Sequence, residues 1–275
     1  MIVKHYFNVF AITGTLALVI FFLRPGDLRA ASIKLSYDAY AGPLYVMSLQ
    51  VSLSLNNSSY HIVTQSKTEG FAAWFSSWQS KVSTEGKLYN GELSPLYHRV
   101  NSLVDDKPYR VKIIYEDSAP VLEEILPAPD GVNRSAVPKG MWRHTIDPLT
   151  MILKALLGID ELQSCEGDYK VFDGRRRYNI ILKAGNISDL EPHSSSIYTG
   201  RARSCLLQIE RLAGFYKTKS ATNRPLITPT IWTARPFENG MLVPVKFEAK
   251  SSFGVFRIHL IRAEMGNMLI EIGKD

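Results

Sequence analysis

The chain has 275 residues, 45% of them hydrophobic and 21% charged, with a net charge of +6. That balance excludes an intrinsically disordered chain and leaves enough apolar surface for a sizeable core. The positive charge is mild and holds no dense basic patch beyond Arg175-Arg176-Arg177, so nucleic-acid binding is not indicated.

Residues 1–30 read as an export signal. Lys4 gives a positive start, Tyr6 to Leu23 is almost wholly apolar, and Arg24-Pro25-Gly26 ends the run. Leu28-Arg29-Ala30 places an apolar and a small residue at the spacing of a signal-peptidase site, with cleavage after Ala30. The competing reading is a permanent anchor: residues 6–23 lie at the lower edge of what spans ~30 Å of hydrocarbon. Either reading sends residues 31–275 across a membrane as a single β-rich domain. Direct membrane contact is then expected only through an uncleaved N-terminus.

Period-two alternation predicts strands at 33–40 and 44–55, with Leu49, Val51, Leu53 and Leu55 on one face. Asn56 to Ser59 is a turn, and residues 60–67 return as a strand. Phe71, Trp74, Phe75 and Trp78 then fall at i, i+3, i+4 and i+7, which predicts a short helix. Its aromatic face is expected to pack on the sheet or to line an apolar cavity. Further strands are expected at 81–89, 97–104 and 109–115. The prolines and glycines of 118–144 predict a long loop or crossing segment, and loops this long tend to be functional or mobile. Asp147-Pro148 starts a second helix, with Asp147 as N-cap, an apolar stripe from Leu149 to Leu157, and Gly158 at its end.

Beyond it, Asp173-Gly174 predicts a tight hairpin between strands at 169–172 and 177–183. Residues 184–198 and 213–228 read as loops. Strands at 203–212, 230–234, 242–249 and 255–263 complete the chain. The sum, ten to twelve antiparallel strands with two short covering helices, predicts a mainly β fold: a curved sheet or an incomplete β-barrel.

Cys165 and Cys205 are the only cysteines. In an oxidising compartment they are expected to form one structural disulfide closing a loop of about 40 residues, with unpaired buried thiols as the alternative. There is no Cys-x-x-Cys, and no His pairs with a Cys at zinc spacing, so no metal or cofactor is assigned. Neither Gly-x-Ser-x-Gly nor His-Glu-x-x-His occurs and no catalytic residue is assigned, which leaves an envelope hydrolase as a minor alternative to a non-enzymatic role. Asn56, Asn57, Asn133 and Asn186 begin Asn-x-Ser sequons, of use only where the secretory system glycosylates. The candidate ligand contacts are Arg175 and Arg176, whose guanidinium forks suit a phosphate or carboxylate, and Trp74 and Trp78, which suit an apolar group. For the arginines the alternative is a solvated hairpin rim.

Tyr37-Asp-Ala-Tyr-Ala-Gly42, Tyr60-His-Ile with Thr68-Glu-Gly70, Gly86 with Pro95-Leu-Tyr97, Asp147-Pro148-Leu149, and Val171-Phe-Asp-Gly-Arg175 with Tyr178 occur in that order. In this order the motifs resemble DUF3108, a family of exported bacterial proteins of uncharacterised role. The resemblance covers most of residues 33–182. It implies a bacterial periplasmic address and an architecture similar to that of periplasmic lipoprotein carriers, whose half-barrel encloses an acyl chain. Two functions follow as expectations: a periplasmic envelope protein binding a hydrophobic or lipid ligand in its curved sheet, or a non-enzymatic scaffold docking another envelope protein through its sheet edges or the 118–144 segment.

Overall fold

The computed structural model describes residues 31–131, 133–216, 228–251 and 254–272. The leader and anchor readings, and most of the 213–228 loop, lie outside the described residues. Among the described residues no helix is long and apolar enough to cross a membrane.

The chain is mainly antiparallel β, as the alternating patterns predict. Its strands are β1 (Ala31–Ala41), β2 (Leu44–Leu55), β3 (Ser59–Thr68), β4 (Trp78–Tyr89), β5 (Glu92–Val104), β6 (Lys107–Glu116) and β7 (Ala119–Leu126). After helix α1 (Pro148–Leu162) come β8 (Gly167–Phe172), β9 (Arg177–Leu190), β10 (Gly200–Ala213), β11 (Thr230–Ala234), β12 (Val243–Ser251), β13 (Gly254–Met265) and β14 (Met268–Glu271). All join one sheet in the order β7-β6-β5-β4-β3-β2-β1-β13-β12-β11-β10-β9-β8, with β14 paired to β13. Thus β1 is central and bonds to both β2 and β13.

Register shifts at Ser36/Tyr37, Ala39/Tyr40 and Glu85/Gly86 add local twist and help the sheet to curl. The curl stays open: β7 and β8 are its ends and do not pair. The segment between β7 and α1 crosses the gap. Its Val137 and Trp142 pack with Val111, Ile113 and Phe172, and the Trp142 ring stacks on Phe172 at 5.0 Å. The β8–β9 turn rests on β6 so closely that a Cβ on Gly174 (φ +84°) would stand 2.3 Å from Val111.

Helix α1 lies inside the curl. Asp147 caps it as the sequence predicts, accepting from the Leu149 and Thr150 backbone N–H groups at 3.0 Å each, and Pro148 opens the first turn. Met151, Ala155 and Ile159 pack against Val171, Ile180 and Leu182. Leu149, Leu153 and Leu157 face the larger core under β1 to β5 and β11 to β13. The Cys165–Cys205 disulfide is formed, with Cα atoms 5.4 Å apart, and ties the chain just past α1 to β10.

Several expected boundaries are corrected. Instead of a helix over 71–78 there is a five-residue 3-10 turn, Gly70–Trp74. Backbone groups that a longer helix would use are taken elsewhere: Thr68 Oγ1 donates to the Ser76 carbonyl and accepts from Trp78 N–H, and Asp105 accepts from Ser77 N–H. Among the described residues there is therefore one α-helix, not two. That helix passes Gly158 to Leu162, because burial of Ile159 outweighs the ~1 kcal/mol cost of an internal glycine. The first part of 118–144 is strand β7, whose Pro120 is tolerated at a sheet edge. Residues 184–190 extend β9, held by a long ladder to β10.

Candidate functional site

Inward residues along β2 and β3 show a gradient of burial. Leu53, Leu55, Tyr60 and Ile62 are buried, whereas Met47, Leu49 and Val51 on β2 and Thr64, Ser66 and Thr68 on β3 are half-exposed. The concave face is therefore filled at the end holding the β2–β3 turn and opens toward the end holding the β1–β2 turn. In that space, between α1 and the sheet, lies a cavity of about 400 Å³. Its walls are almost wholly apolar: Leu35, Leu49 and Val51 on one side, Phe247 and Ile258 on the other, Ile152 and Leu156 above. Ile152 is 44% exposed although it belongs to the helix's apolar stripe, because its side chain meets the cavity rather than packed neighbours. Lys246 is the one charged residue in the lining among the described residues. Its ammonium sits 4.6 Å from the Trp232 ring and 3.5 Å from Glu248.

A buried polar network fixes the helix that roofs this cavity. Thr84 Oγ1 donates to Asp147 Oδ1 at 2.8 Å, and His98 Nδ1 lies 2.8 Å from Thr84 Oγ1 and 3.2 Å from Asp147 Oδ1. Thr150 Oγ1 donates to Asp147 Oδ2 at 2.6 Å, which leaves the Tyr60 hydroxyl, 2.7 Å away, to donate to Thr150. Thr84, Asp147 and Thr150 are fully inaccessible. Burial raises the Asp147 pKa, but His98 and the donated hydrogen bonds outweigh it and hold it below the usual carboxylate value. The sequence identifies Asp147 as a cap; it does not reveal His98 as its partner, since the two are 49 positions apart and meet only through the sheet's curl.

The sequence-predicted contacts do not converge. Trp74 is 81% exposed on the β3–β4 loop, its ring 5.6 Å from that of Phe71, which in turn lies 4.8 Å from the Phe75 ring. Trp78 starts β4. Neither tryptophan lines the apolar cavity. At the β8–β9 hairpin Arg176 is committed to Asp173, with Nε donating to Oδ2 at 2.7 Å. Arg177 Nη1 donates to the Tyr178 carbonyl and to Asn179. Arg175 is buried, with its guanidinium 3.9 Å above the Tyr109 ring. The reading of these arginines as a solvated rim therefore does not hold for Arg175 and Arg177, which the barrel seam covers. Among the described residues no group of His, Cys, Asp or Glu could hold a metal ion. His193 and His259 stack at 4.7 Å, and burial beside His193, Lys246 and Arg257 pushes the His259 pKa down to about 4.

The cavity residues were legible in the sequence only as strand and helix faces. Periodicity tells which side chains share a face, and the separation between faces is set by the curl.

No curated protein matches the chain. A solved structure, the beta-barrel-like protein of domain of unknown function DUF1849 from Brucella abortus, is similar over 88% of this chain and 100% of its own, at 10% identity and a TM-score of 0.47. The family described as "Protein of unknown function (DUF3108)" matches residues 36–261, a span that runs from β1 to β13 and takes in every residue of the buried network, and the chain belongs to that family.

Proposed function

We propose that the chain is a non-enzymatic, exported cell-envelope protein of the periplasm that holds a hydrophobic, acyl-type ligand in the cavity beneath α1. The observation that carries this reading is the cavity itself. Its volume of about 400 Å³ falls in the range of roughly 300–1,000 Å³ usual for small-molecule sites, and its walls are apolar. Lys246 supplies a cation for a polar end of the ligand. The apolar leader and the Cys165–Cys205 disulfide support export to an oxidising space.

Native mass spectrometry of protein purified from cell envelopes tests the reading. Lipid-sized adducts are expected on the parent chain and absent from Ile152→Trp, whose bulk enters the cavity from an already exposed position. Folded parent protein with no adduct, and none after incubation with a long-chain fatty acid, would overturn it.

A second reading, a scaffold that docks another envelope protein, is favoured by the exposed Phe71, Trp74 and Phe75 cluster. A photo-crosslinker at position 74 should then give one defined envelope-protein adduct in cells.

A further inference from the structure

We propose that Arg175 and Arg134 form a second site, in the seam of the barrel, that takes the phosphate group of a ligand. The seam brings them together from separate segments. Gly214 (φ +78°), at the end of β10, abuts the Arg175 carbonyl so closely that a Cβ there would stand 1.9 Å from the oxygen and 2.9 Å from Val137. Arg134 lies three positions before Val137, and Tyr216 two positions after Gly214.

Each guanidinium lies over a tyrosine ring, its central carbon 3.9 Å from the Tyr109 centroid for Arg175 and 4.0 Å from the Tyr216 centroid for Arg134. A guanidinium held over a ring can still donate through its N–H groups. Arg175 is 4% exposed, yet its Nε and Nη2 have no acceptor among the described residues, and Arg134 Nε is buried without one. Native proteins rarely leave such groups unpaired, and a charged group makes the omission costlier.

The neighbouring acid cannot fill the gap. Asp173 Oδ1 accepts from the Arg175 and Arg176 backbone N–H groups, and Oδ2 accepts from Arg176 Nε. Two like charges have also been brought within mutual influence. Burial first, then Arg134, hold the Arg175 pKa below its ordinary value. An anion between them removes both penalties at once. Three unpaired nitrogens on two guanidinium groups suit a tetrahedral oxyanion with several acceptor oxygens better than a planar carboxylate. None of Arg175, Arg134, Tyr109 or Tyr216 lines the apolar cavity, so this site is independent of the reading above.

Calorimetric titration of the full chain tests the site, with inorganic phosphate in one arm and dihexanoyl phosphatidylglycerol in the other, at fixed ionic strength. Saturable binding is expected, about ten-fold weaker in Arg134→Gln, where one partly exposed donor group is removed, and absent in Arg175→Met. Should Arg175→Met fail to fold, the Arg134→Gln comparison decides. Ile152→Trp should leave the isotherm unchanged. Binding of phosphate and the lipid alike identifies a free-oxyanion site; binding of the lipid alone identifies a headgroup site; both support the proposal. No saturable binding in either arm by folded parent protein, or equal affinity in Arg134→Gln, would overturn it.

Discussion

Asp147 shows what one residue does when two roles coincide. As an N-cap it satisfies two backbone donors, and through Thr84 and His98 Nδ1, 3.2 Å from its Oδ1, it ties the helix to β4 and β5. Removing it takes away a cap, worth ~0.5–2 kcal/mol, and leaves buried donors unsatisfied at ~1–3 kcal/mol, together ~2–5 kcal/mol. We expect Asp147→Ala to lower unfolding stability by about that amount, measured by urea denaturation, and Asp147→Asn by less, since its amide oxygen can still cap. A loss below about 1 kcal/mol for the alanine variant would mean that the network is not stabilising. The pH dependence has a defined sign at two residues. The folded pKa of His259 is lowered from 6.5 to about 4, so its contribution is complete above 6.5 and is lost as pH falls toward 4. The folded pKa of Asp147 is lowered from 3.8, so its contribution is complete above that value and is lost as pH falls through and below it. Stability should therefore decline in two steps on acidification, and His259→Phe should remove only the upper one. The cap was legible because capping is local in sequence. The pairing was not, because no spacing rule links position 98 to position 147.

At the scale of elements, legibility follows how much of the evidence is local. Period-two alternation located β1 to β3 almost to the residue, and Asp173-Gly174 located the β8–β9 hairpin. The β3–β4 loop misled because its aromatic spacing satisfies a helix equally well. The deciding interactions, Thr68 with Ser76 and Trp78 and Asp105 with Ser77, come from outside the pattern. The consequence is a cluster of large apolar rings in solvent, with Trp74 at 81% and Phe75 at 75% exposure. Burial of such rings is normally a main source of stability, so here their contribution to folding should be close to nothing. Replacing Phe71, Trp74 and Phe75 together by Ser is expected to leave the unfolding free energy, from urea denaturation, within about 0.5 kcal/mol of the parent value. The same variant should lose any adduct formed through this loop. A large destabilisation would show that the loop packs in the folded protein, and would remove the basis for treating it as a contact surface.

At the scale of the molecule, the governing feature is a sheet that curls but does not close. A closed barrel of 14 strands would need every edge paired; here β7 and β8 stay apart, and a helix and an irregular segment fill the space between inner faces. Packing one helix against so wide a concave surface cannot reach every inward side chain. One flank of α1 is fully used against β8 to β10, and the other, which carries Leu153, packs on the larger core only at the filled end. The cavity is what remains, and it is a site where the apo protein gives up dispersion contacts that a ligand restores. Binding there must raise stability by mass action. A ligand at 100 times its Kd adds ~2.7 kcal/mol. For a chain of this size that corresponds to a rise in Tm of about 5–10 °C. A long-chain fatty acid should give such a shift in the parent protein and none in Ile152→Trp, while inorganic phosphate, acting at the seam, should shift both equally. If fatty acid raised the Tm of Ile152→Trp as much as that of the parent, the apolar ligand would have to sit elsewhere, and the space beneath α1 would be a packing defect rather than a binding site.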